Sequence, residues 1–89
     1  MRNVYVLGVG MVKCGRYTEK IETKAAEACM NALHDAGIKW QDVQAAYAAH
    51  VMQGPSAGQK VFSQIGLTGL NVTNVENACA SGSTALHHA

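Results

Sequence analysis

The chain has 89 residues, of which 48% are hydrophobic and 15% are charged, and its formal net charge is +1. This composition is typical of a globular sequence and excludes a disordered or fibrous one. The seven Lys and Arg residues are scattered rather than gathered into a stripe, which argues against nucleic-acid binding. No stretch reaches the roughly eighteen consecutive apolar residues of a membrane span, so we expect none.

The three cysteines, Cys14, Cys29 and Cys79, are odd in number and form no disulfide framework. Residues 4–12 form an apolar run, but no small-residue cleavage site of a leader peptide follows it. We therefore expect reduced thiols and a cytoplasmic protein. Because nine Gly in so short a chain leave a thin core, we expect residues 1–89 to depend on further polypeptide or on a partner.

The first part of the chain predicts a strand followed by a helix. Residues 3–9 combine β-branched and aromatic residues with Gly, which predicts a buried strand. From Thr18 onward the apolar residues recur with helical spacing along one face. Thr18 is expected to cap this helix, and Gly37 is expected to end it in a left-handed conformation.

The second part predicts a strand, a helix, a strand and a helix. Residues 42–51 are ambiguous, because their alanines favour a helix while their apolar alternation favours a strand, and we predict a strand. Pro55 is expected to open a second helix that Gly66 closes. A third strand over residues 72–77 and a third helix over residues 79–89 complete the order βαβαβα, which is typical of an α/β fold with a largely parallel sheet. The second helix is expected to turn four side chains inward: Ala57, Val61, Phe62 and Ile65.

Cys79 stands in the sequence VENACASGS, between the third strand and the third helix. A helix N-terminus places free N–H groups and the positive end of the dipole beside a thiol, which favours the nucleophilic thiolate. The N–H of Cys79 could also donate to an oxyanion formed on a thioester carbon. From spacing alone, a sulfur packed at a tight turn remains an open alternative. The neighbours are small enough for a substrate to come close: Ala78, Ala80, Ser81 and Gly82.

The other candidate residues carry less chemistry. Cys29 lies on the apolar helix face and is predicted to be core, while Cys14 is predicted to be an incidental loop thiol. Residues 8–13, GVGMVK, lack the third Gly of a dinucleotide fingerprint and open no helix, so we reject nucleotide binding. The histidines show no ligand spacing, so we predict no metal site. Three polar residues either face water or orient the cysteine turn, and the sequence leaves this open: Asn74, Glu76 and Asn77.

At these residues the sequence resembles the N-terminal part of the thiolase family, in particular its sterol-carrier-protein-type branch. The segment VENACASGSTALHHA looks like the one that carries the family's acyl-accepting cysteine. The opening VYVLGVGMVKCGRY and the segment GQKVFSQIGLTGLNVTNVENACASG follow the family's order of elements, so the resemblance covers nearly the whole chain. Many thiolases have Asn three residues before the nucleophile; Glu76 stands there in this chain, which resembles the sterol-carrier-type branch.

The resemblance implies a βαβαβα portion of a thiolase-like half-domain, within a five-layered αβαβα enzyme of two similar halves. It implies that Cys79 takes an acyl group from a 3-ketoacyl-CoA and passes it to coenzyme A, or loads an acyl-CoA for condensation. Coenzyme A is then a substrate, and no bound cofactor is expected. The family's general-base histidine, second reactive cysteine and further oxyanion donor belong to downstream segments that this sequence does not hold.

The resemblance also implies partners. In the family, the strand before the nucleophile, here running from Val72 to Asn77, pairs across a two-fold interface, so we expect a homo-oligomer. Some members act with a small zinc-containing partner subunit. Two other interpretations remain open: a related carbon–carbon bond enzyme, such as a thiolase-like aldolase or a ketosynthase, and a non-catalytic or split subunit that uses the half-fold for assembly.

Overall fold

Helices and parallel strands alternate along the chain, as the sequence predicts for an α/β fold. The structure is a computed structural model that describes residues 2–89. Residues 2–20 form no helix or strand. Within the described part of the chain, every helix is too short or too polar to cross a lipid bilayer. The elements follow in this order: α1 Ile21–Ala36, a 3-10 turn Trp40–Asp42, β1 Ala45–Ala49, α2 Ala57–Phe62, β2 Asn71–Val75 and α3 Ser81–His88.

Helix α1 ends where the sequence predicts and begins later than predicted. Gly37 has φ 71° and donates its N–H to the carbonyl oxygens of Leu33 and His34, which confirms the left-handed end. The prediction that Thr18 caps the helix is wrong, because the N-cap residue is Lys20. The residues before Lys20 instead contact the first turn through Lys24, whose Nζ lies 3.9 Å from Glu19 Oε2 and 4.4 Å from the centre of the Tyr17 ring.

The predicted strand over residues 3–9 is not found. This segment packs along α1, where Val9 N–H donates to Asp35 Oδ2 at 2.9 Å. Gly8 and Gly10 lie directly against the helix backbone, and a Cβ on Gly8 would lie 2.6 Å from Ala36 N. A strand needs a neighbour to accept and donate its backbone hydrogen bonds, and among the described residues no strand lies beside this segment. The apolar side chains of Val4 and Leu7 therefore stay exposed.

The sheet consists of β1 and β2, which run parallel and are joined through α2. Their register pairs Ala45 with Asn71 and Ala49 with Val75. The ambiguous segment 42–51 thus contains a strand, as predicted. Parallel neighbours need a crossover connection, and α2 provides it, beginning at Ala57 rather than at Pro55. Both strands end at the same edge of the sheet, and the turn that contains Cys79 follows β2 at that edge.

The core contains an aromatic pair. Trp40 packs on Phe62 with ring centres 5.5 Å apart, and its Nε1–H donates to the carbonyl oxygen of Gly66 at 2.9 Å. Of the four side chains expected to point inward from α2, Ala57 and Phe62 are buried, and Val61 and Ile65 are half-buried. The buried apolar residues of the described chain are few: Ala26, Trp40, Ala57, Phe62 and Ala85.

Candidate active site

Cys79 lies in a five-residue turn, residues 76–80, between the end of β2 and the start of α3; we call it the cysteine turn. The predicted helix over residues 79–89 begins two residues later, at Ser81. The reason is the backbone before it: Ala78 is left-handed with φ 47°, and the N-cap residue Ala80 has φ −97° and ψ 9°, outside the helical region. The Cys79 side chain is exposed at the mouth of α3.

Hydrogen bonds hold both peptide groups of Ala78. Its N–H donates to Glu76 Oε2 at 2.7 Å. Its carbonyl oxygen accepts from the Ser81 hydroxyl at 2.8 Å and from the Ser81 N–H at 3.2 Å. The residue directly before the cysteine is therefore fixed from both sides.

Asn77 ties the turn to the first turns of α3. Its N–H donates to the Ser81 hydroxyl at 2.7 Å, and its carbonyl oxygen accepts from Ala80 N–H at 2.9 Å. Its side-chain Nδ2 donates to Thr84 Oγ1 at 3.1 Å. The open question about the polar residues is thus answered for two of them, because Glu76 and Asn77 orient the turn.

Asn74 has a different task. Its Oδ1 accepts from Gly58 N–H at 2.6 Å and its Nδ2 donates to Gln59 Oε1 at 2.8 Å. It therefore anchors the start of α2 to β2 and does not contact the cysteine turn. His50 follows β1 at the same edge of the sheet, where its N–H donates to the carbonyl oxygen of Val75 at 3.0 Å.

Within residues 2–89 the hydrogen bonds that hold the cysteine turn do not include the backbone N–H of Cys79. Ala78, Ala80 and Gly82 are exposed beside it, and a Cβ on Gly82 would meet no atom within 4 Å. The exposed thiol of Cys79 thus lies among small residues that leave its surroundings open.

The other cysteines differ in their surroundings. Cys14 is exposed in the segment before α1. Cys29 is half-buried on α1, and burial raises the pKa of its thiol. Cys14 lies outside any helix or strand, as predicted, whereas Cys29 is not among the buried core residues that the sequence predicts it to join. Among residues 2–89, no group of three or more His, Cys, Asp or Glu side chains comes together in a way that could hold a metal ion.

A cavity lies away from the cysteine turn. It has a volume of about 770 Å³ and opens between the end of α1 and the loop after α2, where Trp40, Ile65 and Thr68 line it. Cys79 does not line this cavity, and its side chain is exposed.

Sequence reasoning named Ser81 only as a small neighbour and missed its hydrogen bonds. The signal available was a Ser at the first position of a predicted helix, directly after a run of small residues, where a hydroxyl can bond to nearby backbone groups. That signal does not say which backbone groups the hydroxyl reaches, because this depends on the left-handed conformation of Ala78.

Comparison with known proteins gives several relatives along almost the full chain. Sterol carrier protein 2 of Gallus gallus is 42% identical over 89 residues, which cover 96% of this chain and 16% of that protein. Benzoylsuccinyl-CoA thiolase subunit BbsB of Thauera aromatica is 37% identical over 88 residues, covering 97% of this chain and 23% of that protein. Acetyl-CoA acetyltransferase of Methanocaldococcus jannaschii is 35% identical over 95 residues, covering 100% of this chain and 24% of that protein.

The fold has a solved counterpart. The 3-oxoacyl-[acyl-carrier-protein] synthase III from Aquifex aeolicus superposes with a TM-score of 0.73 over 81% of this chain and 24% of that one, at 23% identity. The chain matches no protein-family model, and it spans about a fifth of the length of the curated relatives that it matches. Along almost its full length the chain is similar to sterol carrier protein 2 and to thiolases, and its fold is similar to that of the synthase.

Proposed function

We propose that this chain carries the nucleophile of a thiolase-type acyltransferase, and that Cys79 is that nucleophile. The observation that carries the proposal is the geometry of the cysteine turn. An exposed thiol lies two residues before the start of α3, and the backbone N–H of the same residue donates to no group in the described chain. A positioned N–H near a reacting thioester stabilises the negative charge that develops on its oxygen.

The reaction divides into two steps. The Cys79 thiolate attacks the 3-keto carbon of a 3-ketoacyl-CoA, and the bond between C2 and C3 breaks. The shortened acyl group stays on sulfur as a thioester, and the carbanion at C2 takes a proton to leave as acetyl-CoA. The thiol of a second coenzyme A then attacks the thioester, which releases the acyl-CoA and returns the Cys79 thiol. Running the steps backward condenses two acyl-CoAs.

The relatives support a transfer of this class. Two of them are named as an acetyl-CoA acetyltransferase and as a subunit of a benzoylsuccinyl-CoA thiolase. The general base and the second cysteine that the resemblance implies are absent from this sequence, so the proposal requires another stretch of polypeptide to supply them. Residues 1–89 then form the nucleophile-bearing part of a thiolase-like domain.

Partners follow from the same proposal. Strand β2 pairs with β1 along one edge only, and among residues 2–89 no strand pairs with its other edge. An unpaired strand edge is a template for another strand, which supports a homo-oligomer joined through residues 72–77. A small zinc-containing subunit is a further proposed partner, and the name of the Thauera aromatica relative, a subunit, fits an assembly of this kind. The free cysteines fit a reducing compartment such as the cytoplasm.

Trapping the acyl-enzyme tests the proposal. The intact protein is incubated with a 3-ketoacyl-CoA without free coenzyme A, quenched in acid and digested, and the acyl group is located by mass spectrometry. We expect the adduct on Cys79, and we expect Cys79→Ala to lose it together with the transfer activity. Cys14→Ala, which removes another exposed thiol, is the matched control and keeps both.

Two results would contradict the proposal. Adduct on Cys14 but not on Cys79 would show that exposure alone governs the modification. No adduct on any cysteine, in a protein that is folded and holds its full chain, would leave the non-catalytic assembly subunit as the better interpretation.

A further inference from the structure

The Ser81 hydroxyl is a buried polar group beside an exposed turn. Ser81 is 4% exposed and is the one buried polar side chain among residues 2–89. Burial of a hydroxyl is unfavourable unless hydrogen bonds replace those it made with water. The Ser81 hydroxyl has two such hydrogen bonds, because its Oγ accepts from the Asn77 N–H and donates to the Ala78 carbonyl oxygen.

These two bonds reach across the left-handed residue. The Ser81 hydroxyl accepts from the N–H of Asn77, the residue before Ala78, at 2.7 Å, and donates to the carbonyl oxygen of Ala78 at 2.8 Å. It therefore joins the backbone on both sides of the Ala78 Cα atom. The Glu76 carboxylate also bonds to Ala78, but Glu76 is exposed. An exposed hydrogen bond competes with water and contributes less than a buried one that would leave an unsatisfied group.

We propose that Ser81 is a positioning residue for Cys79, whose hydroxyl holds the left-handed turn at Ala78 and so fixes where the thiol and the Cys79 N–H point. The inference rests on the proposed function, since positioning matters only if Cys79 reacts. Ser81 touches no substrate in this role. It acts through the backbone of the two residues before the cysteine.

The variant Ser81→Ala removes the acceptor of the Asn77 N–H and the donor to the Ala78 carbonyl. The turn then loses its buried constraint, and the Cys79 thiol is no longer held in one position before the start of α3. Because the reactivity of a thiol depends on its immediate surroundings, we expect the alkylation of Cys79 by iodoacetamide at neutral pH to slow about tenfold. Cys14 in the same molecule gives the internal reference rate.

The matched control is Ser83→Ala. Ser83 also donates its hydroxyl to a carbonyl three residues earlier, that of Ala80 at 3.0 Å, but it is exposed and does not touch Ala78. We expect its Cys79 rate to equal that of the unmodified protein. A purely structural role of Ser81 gives the opposite signature, because loosening the fold speeds alkylation at every cysteine, and at half-buried Cys29 most.

The proposal is overturned if Ser81→Ala, with an unchanged circular dichroism spectrum, alkylates at Cys79 as fast as the unmodified protein. Should this variant fail to fold, amide hydrogen exchange in the unmodified protein decides. A protected Asn77 amide supports the hydroxyl clamp, and an Asn77 amide that exchanges as fast as that of an exposed loop residue overturns it. The proposed function fails separately, through absence of the acyl adduct on Cys79 in the unmodified protein, whatever the alkylation rates are.

Discussion

Ala78 adopts a backbone conformation that L residues seldom take, directly before Cys79. Its φ of 47° lies in the left-handed region, which costs an L residue roughly 1–2 kcal/mol. Two hydrogen bonds offset that cost: Ala78 N–H donates to the Glu76 carboxylate, and the Ser81 hydroxyl donates to the Ala78 carbonyl oxygen. Such strained residues cluster at functional sites, and this one sets the direction of the thiol that we propose as the nucleophile.

Cys29 makes stability depend on pH. Burial on α1 raises the pKa of its thiol, so the folded chain keeps the proton at pH values where the unfolded chain has lost it. Above the ordinary thiol pKa of about 8.5 the unfolded state binds fewer protons, and the free energy of unfolding falls as the pH rises until the folded thiol also titrates. We expect urea titrations at alkaline pH to show a smaller loss of stability for Cys29→Ala than for the unmodified protein.

The control for this prediction is Cys14→Ala. Cys14 is exposed, and removing it should leave the loss of stability with pH unchanged. Equal losses in the unmodified protein and in Cys29→Ala would contradict the prediction, because they would show that other groups account for the whole pH dependence.

At single residues, sequence predicts chemical type better than conformation. The position of Cys79 ahead of a helix follows from small residues after an apolar strand, and the structure has this order. Nothing in the sequence indicates the left-handed conformation of Ala78, because Gly or Asn usually occupies such a position. The hydroxyl of Ser81 reaches the backbone of Asn77 only because Ala78 turns the chain back, so this bond could not be predicted without the turn.

At the scale of elements, a helix end that requires one specific residue type can be predicted from the sequence. A helix end that many residue types can form cannot. Gly37 is required where α1 ends left-handed, and this end was placed correctly. The beginning of α1 was placed too early, because several polar side chains can cap a helix and tertiary contacts select among them. Here Lys24 contacts Glu19 and Tyr17, which keeps the preceding residues outside the helix.

Gly58 shows how closely α2 lies on the sheet. A Cβ there would lie 2.8 Å from both Ala48 Cβ and Asn74 Oδ1. Helix propensity alone predicts that Gly58→Ala gains up to about 1 kcal/mol, but overpacking of this kind costs roughly 1–3 kcal/mol. We expect a net loss in the free energy of unfolding, measured by urea denaturation.

Gly15→Ala is the matched control for Gly58→Ala. A Cβ on Gly15 meets no atom within 4 Å, so its effect should stay within about 0.5 kcal/mol. An unchanged or raised stability of Gly58→Ala would show that α2 can move away from the sheet, and that the bond from Gly58 N–H to Asn74 does not fix its place.

At the scale of the whole molecule, pairing with a neighbouring strand decides which segments form strands, and the local sequence pattern alone does not. Residues 3–9 have strand composition, yet they form no strand, because within residues 2–89 their backbone groups meet α1 rather than another strand. Residues 45–49 have weaker strand composition, yet they form β1 because β2 lies beside them. The α/β class was predictable from the alternation of patterns, while the membership of the sheet depends on which segments meet in space.

Trp40 connects α1 and α2 within this small core, and we expect its replacement to lower the stability of the whole chain. It is the single Trp of the chain, and it bridges the end of α1 to the end of α2 through the Phe62 ring and the Gly66 carbonyl. Trp40→Phe keeps an aromatic ring but leaves that carbonyl without its donor, so we expect the free energy of unfolding to fall by about 1–3 kcal/mol.

Leu67→Ala provides the comparison for the Trp40 variant. Leu67 follows Gly66 directly but is 89% exposed, so its truncation should change the stability by no more than about 0.5 kcal/mol. Trp40 fluorescence in the unmodified protein reports the same transition, because its emission shifts to the red as the ring leaves the core for water. If Trp40→Phe unfolds at the same urea concentration as the unmodified protein, the indole hydrogen bond does not hold α1 and α2 together, and packing of the ring alone must do so.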